Sequence, residues 1–376
     1  MNDRLNFFIE AHIADLHFGA FDPNRQYQLL KEQFISKLYE LPILDIVSIN
    51  GDVFHHKFMA NSDAVSVACY FVSDLIELCH QKDATLIITS GTYSHDADQI
   101  KLFYPIAAQA MTRGVDIRIA EEVKFEYIKG KRVLLIPELY GKGQEYYKSF
   151  LYDDRYDACY MHGTYAGSIF GKDIPNLDAE REPVFCIRDF ALCTGPIISG
   201  HVHTPGCFDK HFYYCGSPYR WQFGEEEDKG FIIMMQDISK HTYAVHYEPI
   251  ISDKYITMNL DSMINEDPQK IITYINQVVK EENIQYIRLV FTSIDEKNLL
   301  MLNEYYRNNR NVSFLNKSKN ENVMKDMKEV EDKYGQYQYL FDKNMTPEEK
   351  LVTYINQTKG STFITVAGLT EILKKI

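Results

Sequence analysis

The stretch Ser199-Gly200-His201-Val202-His203-Thr204-Pro205 sets two histidines one residue apart, directly after the apolar run Pro196-Ile197-Ile198. If that run is a strand, alternation sends His201 and His203 to the same side of an extended backbone. The glycine before them permits a sharp turn at the end of the strand. Such a pair can reach a common metal ion, although a His-x-His pair on its own is more often ordinary surface.

Three other stretches place an acid or a histidine just after an apolar, strand-like run. They are His12-Ile13-Ala14-Asp15-Leu16-His17, Asn50-Gly51-Asp52-Val53-Phe54-His55 and Tyr160-Met161-His162-Gly163. Apolar residues recur at helical spacing after the first two of these stretches, within 27–41 and 65–79. The order strand, helix, strand predicts an α/β sheet, parallel in part, that binds ligands at the carboxyl ends of its strands.

Beyond residue 124 the pattern becomes shorter and strand-rich. Two apolar runs, 125–128 and 133–136, flank Lys129-Gly130-Lys131 and predict a hairpin. Further strands are predicted at 157–161, 212–215 and 231–235. A sandwich of two sheets fits this change better than a single doubly wound sheet, and we expect it to occupy residues 1–250.

The remaining residues predict a small domain, a linker and a helical tail. Residues 251–316 follow a βαβαβ pattern, and residues 317–345 are charged and short of aliphatic side chains, as in a linker. Residues 346–376 begin with the capping box Thr346-Pro347-Glu348-Glu349. They end in an apolar stripe formed by Leu369, Ile372, Leu373 and Ile376. Two interpretations stay open, a hairpin folded back on the body or a docking module for a helix of another protein.

The composition limits the class of protein. The chain has 376 residues, 45% of them hydrophobic, and a formal net charge of −13. No apolar run approaches the roughly 18 residues of a membrane span, and no signal peptide is evident, so we expect a cytoplasmic protein. The seven cysteines form no Cys-x-x-Cys pair, which predicts reduced thiols rather than structural zinc. The acidic balance argues against tight, unaided DNA binding, although bound metals or a basic partner subunit would change the field locally.

The candidate ligands are carboxylates and imidazoles, with no thiolate among them. They are Asp15, His17, Asp52, His162, His201 and His203. This donor set suits manganese, iron or zinc in a hydrolytic site. Six protein ligands are too many for one open catalytic metal but suit two, with a shared aspartate as the bridge. Such a pair activates a water and stabilises both oxygens of an in-line displacement at phosphorus.

The ordered set of motifs resembles the calcineurin-like metallophosphoesterases. The motifs are Asp-x-His, Gly-Asp-x-x-His, a Gly…His-Asp segment, an isolated His-Gly and Gly-His-x-His. Within that superfamily the chain resembles the SbcD-type nucleases of double-strand-break repair, which work with a coiled-coil SMC-like ATPase. This finer resemblance rests on residues 12–19, on Gly216-Ser217-Pro218-Tyr219-Arg220 and on the segment 223–231. The motifs lie within residues 1–250, and the small αβ cap domain and helical tail match in architecture.

The resemblance implies a centre of two divalent ions, with manganese expected and magnesium as the alternative. The residues that would hold the first ion are Asp15, His17, Asp52 and His203. Asp52 would bridge to a second ion held by His162 and His201. For His12 and His55, simple packing and a place at the rim of the site both stay open.

The same resemblance gives His95 the role of the acid that protonates the leaving oxygen or stabilises the pentavalent phosphorus, with Asp96 orienting it. The family's motif there is Gly-Asn-His-Asp, whose Asn binds the second metal. This chain has Gly91-Thr92-Tyr93-Ser94-His95-Asp96, which is two residues longer and lacks the Asn. Ser94 is the expected ligand if His95-Asp96 are aligned, and Thr92 takes that place if Gly91 is aligned. A hydroxyl is a weaker ligand than an amide carbonyl, so we expect weaker binding at the second site.

These implications lead to an expected function, a metal-dependent DNA phosphodiesterase with duplex exonuclease and single-strand endonuclease activity. It would work in DNA end processing, repair or recombination, with the ATPase bound to the helices of residues 346–376. A homodimer contact is expected through helices at 63–80 and 99–113, although the first also fits an ordinary core-facing helix. Two rivals stay open, a metallophosphoesterase of small phosphate esters or nucleotides and a catalytically weak scaffold of the same fold.

Overall fold

The computed structural model describes residues 7–166, 168, 184–209, 211–240, 242–263, 265–292, 296–309, 311–316, 346–358 and 365. The chain divides into two units, Met1–Thr257 with Gln277–Ile287, and Met258–Asn276 with Arg288–Ile376. The predicted linker and the predicted apolar stripe at 369–376 lie outside the described residues. None of the helices in the described ranges is both long enough and apolar enough to span a membrane.

The first sheet has six strands and is mixed. Its four parallel strands are β1 (Phe7–Ile13), β2 (Ile46–Asn50), β3 (Thr85–Thr89) and β4 (Asp116–Ala120). The antiparallel strands β13 (Gly230–Asp237) and β14 (Thr242–Pro249) complete the order β14-β13-β1-β2-β3-β4. The sequence did not predict β4 and β14, which are the two edge strands and alternate polar with apolar residues.

Helices connect the parallel strands of this sheet. They are α1 (Pro23–Leu29), which continues through a π-helical turn (Leu30–Ile35) into α2 (Ser36–Glu40), then α3 (Asp63–Lys82), and a 3₁₀ helix (Ala97–Phe103) that leads into α4 (Tyr104–Met111). Ser62 caps α3, because its hydroxyl accepts a hydrogen bond from the Val65 N–H at 3.3 Å. Ala11 of β1 lies with Phe71 and Leu75 of α3 in one buried cluster.

The second sheet also has six strands. In chain order its elements are β5 (Lys124–Ile128), β6 (Lys131–Ile136), β7 (Ala158–His162), β10 (Ile197–Gly200), β11 (Gly206–Phe208) and β12 (Phe212–Tyr214). They lie in the order β11-β12-β10-β7-β6-β5, parallel except for the outermost strands β11 and β5. The predicted hairpin is confirmed as β5 and β6. The helix α5 (Gln144–Leu151) and the short pair β8 (Thr164–Tyr165) and β9 (Val184–Phe185) were not predicted.

Side chains of both sheets meet in one buried cluster. Members from the first sheet include Phe8, Ile46 and Ile87, and members from the second include Leu135, Tyr160 and Ile198. Strand β2 contacts both β7 and β10 across this layer. The predicted α/β class is therefore confirmed, and the contacts bring the carboxyl ends of three strands to one place.

The region after residue 254 follows the expected βαβαβ order. Its elements are β15 (Tyr255–Asn259), α6 (Pro268–Glu281), β16 (Tyr286–Phe291), α7 (Glu296–Tyr305) and β17 (Val312–Asn316), with the sheet order β15-β16-β17. The last described helix is α8 (Pro347–Thr358). Its predicted capping box is confirmed, because the Glu349 N–H donates to Thr346 Oγ1 at 3.2 Å and the Thr346 N–H to Glu349 Oε2 at 2.7 Å.

Candidate metal centre

The candidate metal centre lies where four strands end. Asp15 and Asp52 are the second residues after β1 and β2, His162 is the last residue of β7, and His201 directly follows β10. The carboxyl ends of neighbouring parallel strands lie at one edge of a sheet, and the two sheets bring their edges together here. The fold thus gathers side chains that are far apart in the sequence.

Four residues of the centre hold a left-handed backbone conformation. Their φ angles are 52° for Asp15, 43° for His17, 51° for Asp52 and 92° for His201. Backbone hydrogen bonds join the loop after β1 to the loop after β2, since the Asp15 N–H donates to Gly51 O at 3.1 Å and the His17 N–H to Asp52 O at 3.0 Å. Residues with a β-carbon adopt this conformation rarely, and such strain is concentrated at functional sites.

The turn at His201 corrects one argument from the sequence. We expected strand alternation to place His201 and His203 on one side of an extended chain, but β10 ends at Gly200 and His201 is left-handed. The two histidines consequently join different groups of the centre. Gly200 is required here for space as well, because a β-carbon on it would lie 2.2 Å from Asn50 O.

The first group comprises Asp15, His17 and His203, whose ligand atoms all lie within 4.8 Å of one another. Asp15 is fully buried, and its two carboxylate oxygens accept the His201 N–H at 2.9 and 3.2 Å. His17 Nε2 and His203 Nε2 are 3.1 Å apart. Two imidazole nitrogens at this distance need a proton or a cation between them, because their lone pairs repel.

The second group comprises Asp52, His162 and His201, again with ligand atoms within 4.8 Å. Asp52 Oδ2 lies 3.4 Å from His162 Nε2 and 3.7 Å from His17 Nε2. The other ring nitrogen of His162, Nδ1, lies 2.8 Å from Asn50 O, which turns Nε2 towards the centre. Asp52 therefore contacts both groups, which is the position that a bridging carboxylate needs.

Glu138 belongs to the second group, although the sequence analysis did not select it. Its Oε2 lies 3.2 Å from His201 Nδ1 and 3.7 Å from His162 Nε2. The side chain follows strand β6, which is parallel to and beside β7. A signal was present in the sequence, since an acid after the apolar run 133–136 repeats the pattern of the other ligands.

Thr92, and not Ser94, lies in this group. The Thr92 hydroxyl oxygen is 3.3 Å from Asp52 Oδ2 and 3.4 Å each from Glu138 Oε2, His162 Nε2 and His201 Nδ1. Ser94, the predicted ligand, is exposed, and no hydrogen bond found in the described ranges joins it to the centre. The physical reason is a tight turn after Thr92, whose carbonyl accepts two N–H groups, from the first and second residues after Ser94, both at 2.9 Å.

His95 lies at the edge of the first group, with its ring 4.7 Å from the His17 ring, edge to face. Its Nδ1 is hydrogen-bonded to His55 O, which leaves Nε2 for other chemistry. Asp96, which we expected to orient His95, instead accepts the Phe54 N–H at 3.1 Å and the Gly91 N–H at 2.8 Å. Its carboxylate braces two loops of the centre, and the orienting role passes to the His55 carbonyl.

The two histidines left open by the sequence have different surroundings. His12 is fully buried in β1, with Nδ1 2.6 Å from Ser48 Oγ and Nε2 3.3 Å from Glu10 Oε2, so it is a packed residue of the strand. His55 lies close enough to His17 and His95 for the three to form another possible ligand group. It is half-buried and lies at the rim of the centre.

A second layer of side chains holds His203 in place. Its Nδ1 lies 3.3 Å from Glu225 Oε1, and the other oxygen of Glu225 accepts the Trp221 N–H at 3.0 Å. Buried Lys229 donates to His203 O at 2.9 Å. The Trp221 ring packs against the His17 and His203 rings, at 4.9 and 4.7 Å between centroids. Glu225 and Lys229 belong to the segment 223–231, which carries the finer resemblance, whereas Trp221 was not predicted to contact the centre.

The stretch before that segment supports the first loop. Tyr219 is fully buried, and its hydroxyl is hydrogen-bonded to Leu16 O. Gln26, also fully buried, donates to the Tyr219 hydroxyl and to His17 O, both at 2.9 Å. The backbone around His17 is therefore fixed from two sides, from α1 and from the stretch that follows β12.

Burial dominates the electrostatics of the centre. Burial raises the pKa of Asp15 and lowers the pKa of His17 well below its usual range, since both groups lose water in the charged state. Burial would also raise the pKa of Asp52, but the neighbouring His162 outweighs it and holds that pKa well below its usual range. Burial and the Asp52 charge together raise the pKa of Asp96 to about 7.

The donor set fits a divalent cation. Three buried carboxylates, those of Asp15, Asp52 and Glu138, lie in one cluster with imidazole nitrogens. Buried carboxylates need compensating positive charge, and mixed oxygen and nitrogen donors suit ions such as manganese, iron and zinc. The Asp and His groups of this structure can therefore hold a metal ion.

Comparisons with known proteins give little further information. No protein-family model matches the chain, and no curated protein matches it. One solved structure similar to the chain is 13% identical and aligns with 64% of this chain and 99% of its own, with a TM-score of 0.39. A likeness at that level carries no argument about function, so the proposals below rest on the residues and their geometry.

Proposed function

We propose that this chain is a metal-dependent phosphodiesterase of the calcineurin-like class and that it cleaves DNA. The observation that carries the proposal is the place of Asp52, whose Oδ2 lies 3.4 Å from His162 Nε2 and 3.7 Å from His17 Nε2. A carboxylate shared by two His/Asp groups is the arrangement that a two-metal phosphoester hydrolase uses. A site for a single structural ion would not need the second group.

The proposed fold is the two-sheet metallophosphoesterase sandwich. Its support is the pair of mixed six-stranded sheets with a common buried cluster, and the ligands at the carboxyl ends of their parallel strands. The chain order of the motifs gives the same assignment. Within this class the SbcD-type resemblance gains support from segment 216–229, because its side chains support both His17 and His203.

Each ion would have its own set of ligands around the shared Asp52. The first would be held by Asp15, His17 and His203, and the second by His162, His201 and Glu138. We propose manganese, with magnesium as the alternative, because imidazole ligands favour the former. When bound, the pair would supply an activated water and charge stabilisation at phosphorus. Thr92, near four of these groups, takes the place of the Asn in the resembled motif.

His95 supplies the proton in this proposal. Its hydrogen bond from Nδ1 to the His55 carbonyl fixes the tautomer, so Nε2 is the nitrogen that gains and releases a proton. The ring lies beside His17 and therefore beside the first group. From there it protonates the leaving oxygen or donates a hydrogen bond to the pentavalent phosphorus.

The partners are proposed on weaker support. An ATPase would bind the segment 346–376, whose described helix α8 has a complete capping box. A homodimer would use the regions 63–80 and 99–113. The apolar face of α3 is buried in the core of this chain. On its exposed face, Tyr70 is 62% exposed and would contribute to such a contact.

The test is cleavage of labelled duplex and single-stranded DNA by the purified chain with Mn²⁺, with Mg²⁺ and with EDTA. Asp52→Ala is expected to abolish hydrolysis, because the Asp52 carboxylate lies beside ligand nitrogens of both groups and is the proposed bridge. The thermal unfolding of the metal-free protein is expected to stay within a few degrees of the wild type. Asp154→Asn is the matched control, since that side chain is 77% exposed and, within the described ranges, its recorded partners are Arg132 and the N–H of Arg155.

The outcomes separate the proposal from its rivals. Activity of Asp52→Ala above a few per cent of the wild type overturns the two-metal assignment. Hydrolysis of small phosphate esters without any cleavage of DNA favours the small-substrate phosphoesterase. Metal binding without turnover on either substrate favours the scaffold.

A further inference from the structure

Two exposed tyrosines and a lysine form a small aromatic surface, which we call the tyrosine platform (Tyr93, Tyr140 and Lys57). The rings of Tyr93 and Tyr140 are 5.5 Å apart at 31°. The two residues are 52% and 62% exposed, so their tilted contact leaves much of each side chain open to water. Lys57 Nζ lies 4.7 Å from the centroid of the Tyr93 ring, within range of a cation–π contact.

The two tyrosines of the platform are close in sequence to residues of the candidate metal centre. Tyr93 directly follows Thr92, whose hydroxyl lies within 3.4 Å of four groups of the centre. Tyr140 is two residues after Glu138, another member of the second group. Neighbouring Cα atoms are about 3.8 Å apart, so both tyrosines stand within a residue or two of the ligand groups. Tyr93 also belongs to the loop that is two residues longer than the resembled motif.

Positive charge accompanies the aromatic rings on this side. Lys142, two residues after Tyr140, holds its Nζ 5.0 Å from the Tyr146 ring. Two lysines are thus paired with tyrosines near the centre in a chain whose net charge is −13. Aromatic faces interleaved with basic side chains are the combination that binds single-stranded nucleic acid.

We propose that the tyrosine platform stacks an unpaired base of a single-stranded nucleic acid whose adjacent phosphate enters the metal centre. The proposal rests on the proposed function and adds to it a subsite for an unpaired base. A stacked base gains from an open aromatic face whatever its identity, whereas a phosphate ester without an aromatic group has nothing to place there. Lys57 contributes by neutralising a backbone phosphate, which a strand has and a mononucleotide lacks. The platform and Lys57 together thus favour a nucleotide strand.

The test measures stacking without cleavage. A single-stranded oligodeoxynucleotide carrying the fluorescent base 2-aminopurine is titrated with the protein in Ca²⁺. This base is chosen because stacking on an aromatic ring quenches its fluorescence. We expect quenching by the wild type, and dissociation constants raised about 5- to 150-fold in Tyr93→Ala and in Tyr140→Ala, the range equivalent to about 1–3 kcal/mol per stacked base. Tyr93→Phe keeps the ring and is expected to bind as the wild type does.

Two further variants sharpen the test. Tyr127→Ala is the matched control, since Tyr127 is 71% exposed on the β5–β6 hairpin and makes no platform contact among the described residues. It is expected to leave binding unchanged. Lys57→Gln is expected to weaken binding and to reduce the slope of log K against log salt by about one. Thermal unfolding of each variant checks that the fold persists.

Each result decides for or against the platform. The proposal is overturned if Tyr93→Ala and Tyr140→Ala both bind the oligonucleotide as the wild type does, or if Tyr127→Ala weakens this binding equally. It is also overturned if the platform variants keep oligonucleotide binding but lose association with a protein partner. Cleavage with Mn²⁺ is measured in parallel. Cleavage that is unaffected in the platform variants overturns this inference and leaves the phosphodiesterase standing. Stacking that depends on Tyr93 without any cleavage supports the platform and overturns the phosphodiesterase.

Discussion

Replacing Glu225 by Gln should weaken metal binding without touching a metal ligand. Glu225 connects three groups, since its oxygens lie 3.3 Å from His203 Nδ1, 3.0 Å from the Trp221 nitrogen and 3.8 Å from Lys229 Nζ. A carboxylate behind a ligating imidazole fixes the ring's tautomer and raises its basicity. Gln keeps the size and one acceptor for Trp221, but it removes the charge that His203 and Lys229 face.

The magnitude follows from these contacts. Loss of a hydrogen-bond partner behind a ligand typically costs 10- to 100-fold in metal affinity, equivalent to about 1.4–2.7 kcal/mol. The metal-free protein should lose about 1–3 kcal/mol of unfolding free energy as well, because Lys229 is 1% exposed and its remaining carboxylate partner, Glu227, is 3.9 Å away. The two losses are separable, since one depends on the ion and the other does not.

The assay is calorimetric titration of Mn²⁺ into the wild type and into Glu225→Gln, with denaturant unfolding of both in EDTA. Glu226→Gln is the matched control, because that neighbouring side chain is exposed. We expect one binding step to weaken in Glu225→Gln and none in Glu226→Gln. A Mn²⁺ affinity within twofold of the wild type would refute the role of Glu225, and an equal loss in both variants would show a general charge effect.

Four other predictions follow from the structure. His95→Ala should leave Mn²⁺ and DNA binding within a few-fold of the wild type but remove cleavage, and a lost ion in calorimetry would make His95 a ligand instead. Thr92→Asn should tighten the weaker Mn²⁺ step whereas Ser94→Asn should not, and the reverse order in titration would contradict the placement of this loop. Glu10→Gln should lower the unfolding free energy by about 3 kcal/mol near pH 7. Burial raises the pKa of Glu10, but its lysine and histidine partners bring it down to about 2 from 4.5, so this contribution is present above pH 4.5 and is lost as pH falls towards 2. Unfolding curves at pH 7 and pH 4 check the trend. Removing the residues after Asn344 should leave cleavage of small phosphodiesters unchanged and abolish association with the ATPase, and co-purification of the truncated chain would favour the fold-back hairpin.

Features that depend on nearby residues could be predicted from the sequence. The cap at Thr346 is such a feature, because a hydroxyl and an N–H three residues later decide it. The hairpin of β5 and β6 is another, set by its Gly-containing turn. The edge strand β14 escaped prediction because its pairing with β13 is the main factor that defines it.

Ligands that depend on strand neighbours were harder to predict. Glu138 reaches the centre because β6 lies beside β7, and nothing within the hairpin shows that neighbour. The choice between Thr92 and Ser94 depended on one turn of the backbone, whose hydrogen bonds to Thr92 O move Ser94 outwards. The role of Asp96 changed for the same reason, since its partners, Phe54 N and Gly91 N, belong to the loops that it braces.

The strain of the centre favours a bound cation over a centre that stays metal-free. Left-handed backbone at residues such as Asp15, Asp52 and His201 costs on the order of 1–3 kcal/mol each. Burial of the Asp15, Asp52 and Glu138 carboxylates together adds to that cost, because like charges without water repel. In a centre without a cation nothing offsets these costs, and apolar side chains packed at the strand ends would make the fold more stable. A bound divalent cation offsets them directly, since it attracts the carboxylates and fixes the loops that carry them. Metal binding should therefore raise the unfolding temperature of the wild type, and the Asp52→Ala variant should lose that gain.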